Sequence, residues 1–353
     1  MIFELIDIAQ GRRDSFSSVP SEKDWENLFE IARKQSILGV LAPALDTLPA
    51  NQAAPLGVYA KWMYIKEMIE ESNTLAKARC KELNTILESS GRRCCILKGQ
   101  SIASRYPQPG LRQGGDIDVW VDDTWESTYS WAKQRYRTKD FCYHHVEAEI
   151  FPDIPVELHF RPSWMNSPSH NRKIQRYFKS VAEKEFTNYN SELGFCVTDD
   201  RFTAVFSVIH TFRHFFAEGI GLRQLMDCHY AIAQLQEEER KAVMDDLSNL
   251  GISKFTAALM YVLGKVFSLD SDHLLCAPDG RKGEVLLREV MLSGNFGKYD
   301  GRYGGIWSEH LLKRALMKIL RVLRFIDISP AEAIFAAPFK TWQHFWIKRF
   351  SVR

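Results

Sequence analysis

Apolar residues recur at helical spacing from Asp24 to Leu41, at Trp25, Leu28, Phe29, Ala32 and Ile37, and Val58 to Ser89 continues as one or two longer helices. Gly91 ends this part. Cys94-Cys95-Ile96-Leu97 then reads as a buried strand running into Lys98-Gly99-Gln100-Ser101, after which Ile102 to Tyr106 has helical character. In residues 116–121 the period changes to two, with Ile117, Val119 and Val121 alternating with Asp116, Asp118 and Trp120 as in a half-buried strand. A helix is predicted at Thr124 to Arg135, a strand near Phe141 to Phe151 and a short strand from Pro155 to Phe160. From about Asp199 the pattern is helical again, over Arg201 to Phe216, Leu222 to Leu235, Glu237 to Leu250 and Ser253 to Phe267. Helices, a small mixed sheet and more helices in that order indicate an α+β fold. The expected regions are helical residues 1–90, the sheet core at 91–195, a helical part at 196–293 completing a cleft, and residues 294–353. That last region opens on a connection marked by Gly294, Gly297, Gly301, Gly304 and Gly305.

Candidate chemistry sits on the strands. Alternation puts Asp116 and Asp118 on one face, where two like charges held close need compensation. A hard divalent cation with oxygen ligands supplies it, and Glu157 offers a third carboxylate from the short strand downstream at Pro155 to Phe160. The plainer alternative is a surface strand whose acids face water. Upstream, the strand, glycine turn and helix start at 94–106 would aim backbone N–H groups and the Ser101 hydroxyl at one point, which suits phosphate oxygens, with Lys98 adding charge. Many such turns contain glycine for purely structural reasons.

The run from Ile96 to Val121, followed by Val156-Glu157-Leu158-His159, resembles the polymerase-beta nucleotidyltransferase superfamily, and within it a branch of uncharacterised bacterial nucleotidyltransferases. The resemblance is carried by Leu97-Lys98-Gly99, by the loop Tyr106-Pro107-Gln108-Pro109-Gly110-Leu111-Arg112, by Gly115-Asp116-Ile117-Asp118 and by Glu157-Leu158-His159. Asn73, and His210, His214, Gly221, Leu222, Arg223 and Asp227 within Ile209 to Cys228, are similar to the branch's flanking helices, so the likeness covers roughly residues 20 to 260. The turn departs from the wider superfamily, because Gln100 separates Gly99 from Ser101. The resemblance implies that Asp116, Asp118 and Glu157 hold one or two Mg²⁺ ions, or Mn²⁺ in their place, that bridge a triphosphate. Glu157 is then the candidate general base, and Lys98, Gly99, Ser101 and Arg112 the nucleotide-binding set, although Arg112 also fits an exposed loop cation.

Composition narrows the class. A chain of 353 residues that is 45% hydrophobic and 25% charged is globular, and its length can bury a sizeable core. The first residues mix acids into an apolar run with no basic segment before it, unlike a signal peptide, and no run of apolar residues is long enough to span a bilayer. The seven cysteines are irregularly spaced and lack a C-x-x-C pair, which suggests free thiols in the cytoplasm and neither a disulfide framework nor a zinc site.

His210 and His214 lie four apart on one predicted helix face, without the Glu of a hydrolytic zinc motif. They read either as buried packing histidines or, with Arg223 and Asp227, as the lining of the cleft; Asp227 could equally pair with Arg223 across one turn. Residues 311–353 carry nine Lys or Arg against Asp327 and Glu332, a net of +7 in a chain whose total is +2. On a helical wheel Lys313, Arg314, Lys318, Arg321 and Arg324 share one side, opposite Leu312, Ala315, Leu316, Ile319 and Leu323. This side could meet an anionic surface or nucleic acid, or simply be the solvated face of a packed helix. Phe339, Trp342, Phe345, Trp346 and Phe350 among Lys340, Lys348 and Arg349 add an aromatic, basic end.

The expected activity is transfer of a nucleoside monophosphate from an NTP, with ATP foremost, to a hydroxyl of a small molecule or protein, with pyrophosphate released. Two alternatives remain open: a catalytically weak nucleotide-binding regulatory or antitoxin-like module, and nucleotide addition to a nucleic-acid end. Near-neutral total charge and the lack of a recognisable RNA-binding module weigh against the last.

Overall fold

A computed structural model describes residues 1–301 and 320–350. The first helices are α1 (Ile2–Ala9), α2 (Glu22–Gln35), α3 (Leu38–Thr47) and α4 (Leu56–Ser89). The periodic stretch from Asp24 to Leu41 is therefore two helices. Ser36 takes a left-handed conformation (φ 56°) and its N–H closes on the carbonyls of Ala32 and Arg33, which ends α2 before the apolar run does. Ser21 starts α2 with a capping box, accepting from the Asp24 N–H while Asp24 accepts from Ser21.

The core follows as β1 (Cys94–Ile96), α5 (Gln100–Ala103), β2 (Ile117–Val121), α6 (Trp125–Arg135), β3 (Thr138–Lys139), β4 (His145–Ala148), β5 (Val156–His159), α7 (Pro168–Thr187), β6 (Tyr189–Asn190) and β7 (Phe195–Cys196). Five strands form one mixed sheet in the order β1-β2-β5-β4-β3, in which only β2 and β5 run parallel. A helical layer closes the chain: α8 (Asp200–Ala217), α9 (Leu222–Ala233), α10 (Glu237–Asn249), α11 (Ser253–Phe267), α12 (Gly280–Ser293), and a C-terminal helix, Pro330–Phe350. The fold is thus α+β, with a small mixed sheet between helical regions.

One face of the sheet is apolar. Ile117, Val119 and Val121, Val146 and Ala148, and Val156 and Leu158 pack with Leu83 and Leu87 of α4 and Trp131 of α6. Trp120 points the other way, into a larger core, against Phe178 and Phe186 of α7 and Phe202 of α8. These contacts lock the sheet between α4 and the α7–α8 pair, so its polar positions are held by rigid elements. All seven cysteines are free, and five of them are buried. No helix among the described residues is long and apolar enough to cross a membrane.

Glu185 of α7 is fully buried beside this core. The Asp199 N–H donates to its Oε2 at 2.9 Å, and its Oε1 has no hydrogen-bond partner. Burial first, and the nearby Asp199 second, raise its pKa from 4.5 to about 7. A carboxyl raised in the folded state adds stability that is full below its unfolded pKa and is lost as pH rises through about 7. Glu185→Gln removes that titration. From about pH 5 to about pH 8 the wild type should therefore lose up to about 3 kcal/mol relative to the variant, read as a widening gap between their thermal midpoints. Parallel curves would contradict this.

Candidate active site

The site is built by strand register. β2 and β5 run parallel with Asp118 opposite Glu157 and Trp120 opposite His159, and β4 runs antiparallel to β5 with His145 opposite His159. Because side chains alternate, Asp118, Glu157, His159 and His145 share the face turned away from Val119 and Leu158. Asp116, just before β2, adds the third carboxylate. Oxygens of Asp116, Asp118 and Glu157 all lie within 4.8 Å of one another, an all-oxygen donor set that fits a hard divalent cation.

Positive groups are packed against these acids. Lys98 Nζ lies 2.6 Å from Asp118 Oδ1, and His159 Nε2 lies 3.1 Å from both Asp118 Oδ1 and Glu157 Oε2. Burial alone would push the Lys98 ammonium down, but Asp118, Asp116 and Glu157 outweigh it and raise its pKa. The same balance acts on His159, where burial lowers the pKa and the hydrogen bonds to Asp118 and Glu157 lift it to about 9. Burial opposes ionisation of Asp118 and Glu157. Lys98 and His159 nonetheless keep Asp118 below its usual range, and His159 and His145 bring Glu157 to about 2. A carboxylate held that low suits a cation ligand better than a proton acceptor near neutral pH.

The turn before the acids departs from expectation in two ways. Gly99 sits at φ 60°, a conformation that favours glycine, but the helix it leads into is the single turn α5 and not a segment at Ile102 to Tyr106. So short a helix has little dipole to offer a phosphate. Ser101 lies within it, fully buried, 2.9 Å from Thr198 Oγ1 and accepting from the Thr198 N–H at 3.1 Å. The hydroxyl that resembled a phosphate ligand instead ties the turn to the strand leading into α8. Arg105, unremarked in the sequence, does the same through Asp200 and the Ser101 and Thr198 carbonyls.

Asn73 of α4 holds both loops at the site. Its Nδ2 donates to the carbonyls of Gly110 and Arg112 at 2.7 and 2.9 Å, while its Oδ1 accepts from Gln100 at 3.0 Å. Arg112 is buried, not an exposed loop cation, and its fork is taken by Asp227 at 2.7 and 2.8 Å. Asp227 also accepts from Tyr106 Oη at 2.6 Å. Asp227 hydrogen-bonds to the loop across the cleft, and the partner of Arg223 is the Gln113 carbonyl at 3.1 Å.

A cavity of about 500 Å³ opens over the acids, and Lys98, Gly99, Arg112, Asp116, Asp118, Glu157, His210, His214, Arg223 and Asp227 all line it; Ser101 does not. Burial pushes His210 well below its ordinary pKa, so it lines the wall as a neutral ring set edge to face with His214, ring centres 4.3 Å apart. A second cavity of about 730 Å³ meets the first at Gly115, Asp116, Glu157, Arg223, Phe296 and Lys298. Asp116 and Glu157 thus stand between the two spaces, while Asp118 lines only the first.

Other lining residues gave no motif. Trp164 carries the Arg213 guanidinium 4.4 Å from its ring centre, and Arg213 pairs with buried Glu332 of the C-terminal helix at 3.2 Å. Glu332 also accepts from the N–H groups of Asn166 and Ser167, and Phe339, Lys340 and Gln343 reach the cavity wall. Trp346 packs on Trp125, Phe141 and Tyr143, so much of the aromatic end is a wall of the core, while Trp342 and Phe345 stay largely exposed. The basic face needs correction at Arg321, which is fully buried and bonded to Glu289 of α12 at 2.6 Å. Arg324 is partly exposed, and Lys313, Arg314 and Lys318 lie outside the described residues.

The family described as "Uncharacterised nucleotidyltransferase" matches residues 21–268, which include the whole sheet and every acid of the site. A search of curated proteins finds no match. The chain belongs to this family of uncharacterised nucleotidyltransferases.

Proposed function

We propose that the chain is a Mg²⁺-dependent nucleotidyltransferase that moves a nucleoside monophosphate from an NTP, ATP foremost, to a hydroxyl of a small molecule or protein. The observation that carries this reading is the parallel register of Asp118 with Glu157, completed by Asp116. When bound there, Mg²⁺ offsets the negative charge of the triphosphate and of the departing pyrophosphate. Asp116, Asp118 and Glu157 hold it. The acceptor hydroxyl oxygen bonds to the α-phosphorus and gives up its proton to solvent, the bond from that phosphorus to the bridging oxygen breaks, and pyrophosphate leaves with the electron pair.

The remaining residues position the reactants. Lys98 and Arg223 line the cavity as cations beside the phosphate path, and Trp164 and Phe339, 6.5 Å apart and near parallel, offer flat walls for a base. Asp227 holds Arg112, which keeps the loop before Asp116 in place. The complete acid set favours an active enzyme over a nucleotide-binding module that has lost turnover. Seven free thiols accord with a cytoplasmic setting.

NTPs labelled at the α-phosphate, incubated with the protein, Mg²⁺ and cell extract split into small-molecule, protein and RNA fractions, should label the small-molecule or protein fraction. Label confined to RNA would move the assignment to nucleic-acid end addition. No label in any fraction would favour the regulatory reading.

A further inference from the structure

We propose that His145, Glu157 and His159 form a second cation site that takes a borderline-soft divalent ion of the Zn²⁺ class and shares Glu157 with the acidic set. The strand register puts the two histidines directly opposite each other on one face of β4 and β5, with Glu157 two residues before His159 on that face. His145 Nδ1 and His159 Nε2 lie 3.2 and 3.1 Å from the same oxygen, Glu157 Oε2, and one donor atom from each of the three residues falls within 4.8 Å of the others. A tetrahedral zinc, with Zn–N of about 2.0–2.1 Å and Zn–O of about 2.0–2.2 Å, keeps its donors about 3.3–3.5 Å apart. Both nitrogens stand near that distance from the shared oxygen, and the ion would take the place of the proton that His159 Nε2 holds between Asp118 and Glu157.

Donor chemistry separates the two sites. Two imidazoles and a carboxylate select zinc-class ions, whereas the three carboxylates of Asp116, Asp118 and Glu157 select Mg²⁺. His145 Nδ1 also lies 3.0 Å from His144 Nε2, a contact it gives up when its lone pair turns to the ion. Beside it, His144 Nδ1 lies 3.0 Å from Cys142 Sγ. The segment Cys142-Tyr143-His144-His145 has no C-x-x-C spacing, and only the pairing of β4 with β5 brings His145 to His159.

Binding is read without nucleotide, so loss of the transfer reading would leave this proposal standing. Chelator-stripped full-length protein is titrated with Co²⁺ in a large excess of Mg²⁺, followed by visible d–d absorption, and Zn²⁺ is then used to displace the Co²⁺. The expected result is one Co²⁺ per chain that Mg²⁺ does not displace, kept in Asp116→Asn. His145→Ala, which removes one of the three protein ligands, should weaken it by about 100-fold or more. Absence of Mg²⁺-resistant Co²⁺ binding by the wild type would overturn the proposal whatever the variants do. So would a wild-type signal that persists unchanged in a folded His145→Ala protein, since the ion would then sit elsewhere.

Discussion

Asp116→Asn is expected to lower Mg²⁺-dependent nucleotidyl transfer by about a thousandfold or more while leaving the fold intact. Asp116 is exposed and makes no packing contact that the sheet needs, so its thermal midpoint should match the wild type, as for surface substitutions within about ±0.5 kcal/mol. Its oxygen nevertheless belongs to the three-carboxylate set. Removing one charged ligand from such a set costs on the order of 4 kcal/mol of transition-state stabilisation, which is about a thousandfold in rate. Asp118→Asn should lose activity as well, but with a stability cost, because Asp118 is 2% exposed and partners both Lys98 and His159. Measuring steady-state transfer and thermal unfolding on the two variants separates ligand loss from structural loss. Undiminished transfer in Asp116→Asn would remove Asp116 from the centre.

Asp227→Ala is expected to be the most destabilising of the substitutions considered, by about 3–5 kcal/mol. The cost comes from the partner left behind: Arg112 is 4% exposed, and its fork would face a cavity wall with no counter-charge. Tyr106 would lose its acceptor too. Replacing both ends with apolar residues of similar volume, Arg112→Met with Asp227→Leu, should recover most of the loss, because the isolated charge and not the missing bond carries the penalty. Chemical denaturation of the single and double variants checks this. Equal stability of wild type and Asp227→Ala would show that Arg112 finds water or another acceptor.

Much of the helical part was legible because it depends on local periodicity. The apolar runs match α11 to the residue, and α8 and α9 to within two, because each is a continuous helix rich in Phe, Leu and Ala, with α8 buried on nearly every side. Helix α7 went unread, since its charged residues mask the short apolar stripe of Ile174, Phe178 and Phe186. The acids were legible as residue types on a period-two strand, yet the parallel pairing of β2 with β5 was not. Register between strands about 35 residues apart is a tertiary property that no window of sequence contains. Ser101 and Arg321 fail for the same reason. Each has the right local spacing for an exposed role, and each is turned inward by a distant partner, Thr198 for the serine and Glu289 for the arginine.

The proposed role of Asp116, Asp118 and Glu157 is to direct attack at the α-phosphate. It is tested most directly by running the purified protein, with Mg²⁺ and the acceptor fraction, on two samples of one NTP, one labelled at the α-phosphate and one at the γ-phosphate. α-Label is expected to enter the acceptor while γ-label leaves only as pyrophosphate, and both events should stop in Asp116→Asn. Transfer of γ-label to the acceptor, or release of γ-label as free phosphate without α-label transfer, would contradict it.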